Sequence, residues 1–178
     1  MLAGGNPLRN FDSIQTISLN ASQATVSFTS IPQTYTHLQI RGFWRCADGS
    51  AGLDYSNMRF NADTASNYSY HNVNGWGATV AVTGSATQTS MLSGISQCDT
   101  SLASTFGVQV TDILDYTNTN KYKTMRSLAG TDRNSATYDA VYFASGNWRS
   151  TAAITSISLT SGTAGFTQYS HFALYGIK

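Results

Sequence analysis

The residues able to do acid–base or nucleophilic chemistry are few and far apart. Three histidines, His37, His71 and His171, are the side chains that titrate near neutral pH. A nucleophilic triad would set one of them against a serine and an acid, but no Gly-x-Ser-x-Gly elbow occurs. No two of them lie within four residues of each other, which removes the common spacing of a histidine metal site. Glycoside hydrolysis needs two carboxyl groups. Asp112 and Asp115 are three apart, and on a strand that spacing sends them to opposite faces, the pattern of a solvated strand end. Asp132-Arg133-Asn134 reads as a polar turn and lacks the regular oxygen spacing of a calcium loop. The expectation is a protein that is not an enzyme and holds no cofactor and no metal.

A denser cluster points to binding. Tyr68, Tyr70, His71, Asn72, Asn74 and Trp76 fall within nine residues. Aromatic rings offer flat apolar platforms and asparagine amides offer both donors and acceptors, the chemistry of a sugar site or a subunit contact. The same residues also fit a strand with buried aromatics that runs into a Gly-Trp-Gly turn. Tyr68, Tyr70, His71, Asn74 and Trp76 are the candidate glycan or subunit contacts. Trp148, in Gly146-Asn147-Trp148-Arg149, reads as a core or interface anchor. Lys121-Tyr122-Lys123 with Arg126 is the nearest approach to a nucleic-acid motif, and Asp112 and Asp115 just before it offset its charge.

Composition narrows the classes further. Charged residues are 11% of the 178, with nine Asp, no Glu and a net charge of +1. No basic stripe is available to hold phosphates, so nucleic acid is not an expected partner. No apolar run approaches the ~18 residues of a membrane helix. The first residues, Met1 to Pro7, do not read as a signal peptide. Lack of Glu and only three Lys argue against helices, while 23 Ser, 23 Thr and ten Tyr argue for sheet. A charge-poor, Ser/Thr/Asn-rich surface suits packing against other subunits without the cost of burying charge. Cys46 and Cys98 are too few for a disulfide scaffold; one bridge between them is open, and two free, partly buried thiols are the favoured expectation.

The elements that must position these residues read as short strands. Ile17 and Leu19 alternate with Ser18; Ala24, Val26 and Phe28 alternate with Thr25 and Ser27; Asn20 to Gln23 between them reads as a hairpin turn. Leu38, Ile40 and Trp44 oppose His37, Gln39 and Arg41. Met58 to Asn61, Tyr68 to His71, Phe106 to Val110, Tyr122 to Leu128, Val141 to Phe143, Ile157 to Leu159 and Phe172 to Ile177 follow. Tyr122 to Leu128 is expected to carry charge on one face, through Lys121 and Lys123, with Ser127 on that face as well. Residues 74–105, rich in Gly, Ala, Ser and Thr, read as long loops with one or two weak strands, and 63–67 as a turn or two of helix. Eight to ten such strands predict an all-β antiparallel β-sandwich over residues 13–178, with a jelly roll as the expected topology. Residues 1–12, with Gly4-Gly5-Asn6-Pro7, read as an N-terminal arm. Its Leu2, Pro7, Leu8, Arg9 and Phe11 are the expected partner contacts.

Several segments resemble one known group. Ser30-Ile31-Pro32-Gln33-Thr34-Tyr35-Thr36-His37-Leu38, Arg59-Phe60-Asn61 with Asp63, Ser156-Ile157-Ser158-Leu159 and the close Gln168 to Ile177 are similar to segments of small β-sandwich virion proteins of tailed bacteriophages. None of them is a catalytic motif. The resemblance implies a structural protein of the phage particle, located on the outer surface of the head and made in the host cytoplasm. The expected function is a capsid decoration, or cement, protein that forms a homotrimer and binds across major capsid protein subunits. The alternative is a tail-fibre receptor-binding module that recognises host glycan through the Tyr68–Trp76 cluster. Neither reading involves nucleic acid or membrane.

Overall fold

The computed structural model describes residues 10–50, 52–98, 102–134, 139–162 and 164–178. Twelve strands form two antiparallel sheets, and the described residues contain no helix. The strands are β1 (Phe11–Ser18), β2 (Thr25–Phe28), β3 (His37–Trp44), β4 (Leu53–Phe60), β5 (Tyr68–Trp76), β6 (Thr79–Gln88), β7 (Met91–Gln97), β8 (Gly107–Leu114), β9 (Lys123–Thr131), β10 (Ala140–Trp148), β11 (Ile157–Ser161) and β12 (His171–Ile177). The larger sheet has the order β1-β12-β3-β8-β9-β10-β5-β6 and the smaller β2-β11-β4-β7. The expected antiparallel β-sandwich is the fold.

One apolar core lies between the sheets. Phe28, Trp44, Met58, Phe60, Phe166, Phe172 and Leu174 are fully buried in it. Phe166 meets Trp44 and Phe172 edge-on, an arrangement favoured by the ring quadrupole. A smaller cluster of Ile95, Ala129, Ala140, Tyr142 and Ala144 continues the core under β9 and β10. The closing strand β12 lies between β1 and β3, interior as its apolar run suggests.

Four sequence expectations are corrected. Asn20 to Gln23 is not a hairpin turn: β1 pairs with β12 and β2 pairs with β11, so the chain passes from one sheet to the other. The stretch from Asn74 onward holds the end of β5, all of β6 and all of β7, because Ala, Ser, Thr and Gly in alternation satisfy a ladder as well as bulkier residues do. Residues 63–67 form an irregular bend without helix: the Asp63 carboxylate accepts the Ala65 N–H (2.8 Å), and Asn67 N–H donates to the Ala65 carbonyl (2.7 Å) rather than four residues back. Cys46 and Cys98 are not free thiols but a buried disulfide. An isolated parallel bridge just past β3 and β7 brings their Cα atoms to 4.5 Å, within the span a bridge requires, and so ties the two sheets together at one end.

Candidate interaction face

Alternation in β8 runs opposite to the simplest expectation for a sandwich. Val108 and Val110 point outward, 55% and 40% exposed, whereas Gln109 and Thr111 point into the sandwich, 1% and 0% exposed. β9 repeats this: Leu128 faces solvent and Ser127 faces the interior. The inward polar groups are satisfied by one another. Gln109 Oε1 accepts from Trp44 Nε1 (3.2 Å) and Ser56 Oγ (3.0 Å), and Gln109 Nε2 donates to Thr111 Oγ1 (2.9 Å). The Thr111 and Ser127 hydroxyls are 2.8 Å apart, and those of Ser56 and Ser93 2.9 Å. Hydrogen bonds among these groups offset much of their desolvation penalty. This arrangement leaves the valines and leucine of these strands on the outside.

The register of the larger sheet assembles those outward residues into two rows. The first runs Phe43, Val108, Gly130, Val141, Gly75, Val80 across six strands. The second runs Arg41, Val110, Leu128, Phe143, Val73, Val82 across the same strands. With strands spaced ~4.8 Å apart, the band is roughly 24 Å wide. Phe106 stacks on Phe43 at 4.9 Å and extends the apolar surface past the start of β8. The glycines leave gaps between the valines, so an open depression lies over Gly75, Gly130 and Val141, with Asp132 and Asp139 at its rim. A polar row borders the band. Gln39 donates to Asp112 (2.8 Å), Arg41 Nε donates to Gln39 (2.9 Å), and Arg126 sits 3.6 Å from Asp112. A contiguous apolar patch rimmed by polar residues marks a docking surface.

The proposed sugar cluster is divided between the two faces of β5. Tyr68 and Asn74 are buried and Tyr70 packs against the core; Trp76 packs half-buried against the smaller cluster. His71 alone of the five lies on the outer face, beside Val73 and over Gly84. Tyr68, Tyr70, Asn74 and Trp76 occupy alternate positions and share the inward face, so alternation turns four of the five candidates toward the interior. The Tyr68 hydroxyl accepts from Phe60 N (3.1 Å) and donates toward the Phe60 and Asp63 carbonyls (3.2 Å each). Burial pushes its pKa up to about 12.

The other candidates are held apart. Asp112 is bound as above, while Asp115 pairs with Lys121, whose hydrogen bond holds the carboxyl below its usual range. His37 Nδ1 accepts the Asp115 backbone N–H (3.0 Å), and His171 Nδ1 lies 2.9 Å from Ser18 Oγ. Among the described residues no three His, Cys, Asp or Glu side chains form a metal-sized group. Asn134 N donates to Asp132 (2.8 Å), the polar turn expected there.

Lys123 corrects the charged-face expectation for β9. Its side chain points inward, fully buried, and Nζ donates to the carbonyls of Asn118, Lys121 and Thr151. Desolvation, with Lys121 nearby, lowers its pKa. It ties the β8–β9 turn to the segment after β10.

Of the expected arm contacts, Leu2, Pro7, Leu8 and Arg9 lie outside the described residues. Phe11 opens β1, pairs with Ile177 and stacks on Tyr175 at 4.7 Å, with the Arg41 guanidinium 5.0 Å from its ring centre. No described helix is long and apolar enough to cross a membrane. The chain matches no protein-family model and no curated protein.

Proposed function

We propose that this chain is a non-enzymatic structural protein of a phage particle, a capsid decoration protein whose outer sheet face binds the major capsid protein. The observation that carries a docking role is the two-row apolar band of the larger sheet, whose residues face out while Gln109, Thr111 and Ser127 face in. The resemblance of the Ser30–Leu38 and Gln168–Ile177 segments to phage virion proteins supplies the particle.

The jelly-roll reading is supported by strand order. With the hairpins β5–β6 and β9–β10 set aside, the sheets are β1-β12-β3-β8 and β2-β11-β4-β7. Each step along those eight strands changes sheet, except β4 to β7, which are neighbours. That order fits the double Greek key of a jelly roll, an architecture common in capsid and lectin domains. The two hairpins would then be insertions that widen one sheet, and both contribute to the apolar band.

A decoration protein that binds only the assembled shell stabilises it by mass action. The test is antibody-gold labelling of purified particles that encode the chain. Label over the whole head supports this reading. Label confined to the tail tip overturns it and favours the receptor-binding alternative.

A further inference from the structure

The two edges of the larger sheet are built differently. The β1 edge is interrupted by a bulge between Ser13 and Gln15, and it carries Asp12, which lies near Lys178 and accepts from Tyr35. Bulges and charges of this kind keep edge strands from pairing. At the opposite edge, β6 is bonded to β5 alone and packs on no other strand to any extent. Its sequence, Thr79-Val-Ala-Val-Thr-Gly-Ser-Ala-Thr-Gln88, has no charge and no proline. Val80 and Val82 are 73% and 76% exposed. The bulge opposite Tyr68–Tyr70 falls at its far end, where Thr87 has φ +55°, so Thr79 to Ser85 stays regular.

We propose that β6 pairs antiparallel with β6 of a second copy of this chain, joining two eight-stranded sheets into one. An unpaired strand edge is satisfied by another strand. A second copy fits because two uncharged strands meet without like-charge opposition. A two-fold axis through Val82 pairs Thr79 to Ser85 with the same stretch of the other copy, so that Val82 faces Val82 on the outer side and Val80 faces Gly84. The row that ends at Val82 then continues across the junction. Antiparallel pairing of identical strands is isologous and closes at two copies. A regular stretch of seven residues, about 24 Å long and about 10 Å thick, makes this contact small next to the ~1,200 Å² of a stable interface, so the dimer is weak when free. The pairing edge adjoins the band, whose rows end at Val80 and Val82, but its backbone hydrogen bonds do not depend on what that band binds.

The test is sedimentation velocity over about 5–500 μM, the range expected for a contact below the standard size. The proteins are wild type, Val82→Lys, Val82→Glu, an equimolar mixture of those two, and Leu128→Glu. The wild-type weight-average mass should climb from 19.1 kDa toward twice that value. Each Val82 variant alone should stay monomeric with an unchanged thermal melt, since position 82 is exposed. The mixture should associate at least as well as wild type, because opposite charges then face each other. A wild type that stays monomeric, a mixture that fails to reassociate, or a three-copy species would each overturn the proposal. So would loss of association in Leu128→Glu but not in Val82→Lys, which would move the contact to the central band.

Discussion

Trp148 donates its indole N–H to Asp63 Oδ2 at 2.7 Å, joining the end of β10 to the turn between β4 and β5. The same carboxylate accepts from Asn67 Nδ2 (2.9 Å) and, through its other oxygen, from Ala65 N (2.8 Å). The Trp148 ring lies nearly parallel to Tyr68, 16° and 6.3 Å away, and meets Phe60 edge-on. One acidic side chain thus shapes a turn in which Asn61 and Ala62 have positive φ and anchors the largest ring of the adjoining core.

That arrangement makes acid the weak side of this corner. The Asn67 hydrogen bond, then the one from Trp148, hold the Asp63 pKa below its usual 3.8. A depressed folded pKa contributes stability that is present above 3.8 and is lost as pH falls through the folded value. Asp63→Asn should therefore lower the melting temperature at pH 7 and narrow its gap from wild type as pH falls below 3.8. Melts by circular dichroism from pH 7 to below pH 3.8 check it; a constant gap would refute the assignment.

Tyr68→Phe separates a core role from a ligand role. The variant keeps the ring and loses the hydroxyl, leaving Phe60 N without that acceptor, at a cost of about 1–2 kcal/mol. Because burial raises the Tyr68 pKa to about 12, its contribution is fully present below pH 10 and declines as pH rises toward 12. Urea unfolding at pH 7 and pH 11 should show the variant's deficit shrinking at the higher pH. A deficit equal at both pH values would contradict this.

The disulfide offers a third check. Cys46–Cys98 closes a separation of 52 residues between the two sheets. Constraining the unfolded chain over a loop of this size stabilises by about 2–4 kcal/mol. Cys46→Ala/Cys98→Ala should melt roughly 5–15 °C lower than wild type by calorimetry. No shift would mean that the bridge contributes nothing beyond the packing of the two buried side chains.

Strand class was legible because period-two alternation survives in Leu38-x-Ile40 and Ile157-x-Leu159 whatever lies around them. Which face is inward was not. In Val108-Gln109-Val110-Thr111 an interior partner for Gln109 comes from Trp44 and Ser56, both distant in sequence, so alternation alone assigns the valines to the wrong side. The same holds for Lys123, whose carbonyl partners include Thr151, 28 residues on. The candidate site was hidden for a related reason. Its residues sit one or two per strand on six strands, and only register brings them together, whereas the Tyr68–Trp76 cluster is dense in sequence but turns inward except at His71. Cys46 and Cys98 give no spacing signal because their contact is between sheets.

The apolar band predicts a response that needs no partner in hand. An environment-sensitive apolar dye should bind the folded protein, because Val108, Leu128, Val141 and Phe143 form one exposed surface. Placing carboxylates there, in Leu128→Glu/Phe143→Glu, disrupts both the area and its low polarity. Neither side chain contributes to the buried clusters. Surface changes away from such features shift stability by only about 0.5 kcal/mol each. Dye fluorescence should therefore fall several-fold at an unchanged melting temperature. A matched substitution on the polar row, Ser145→Glu, at the exposed position paired with Arg126, should leave fluorescence near wild type. If the double variant kept its dye binding, the band would not be the apolar surface presented to partners, and the docking role assigned to it would fall.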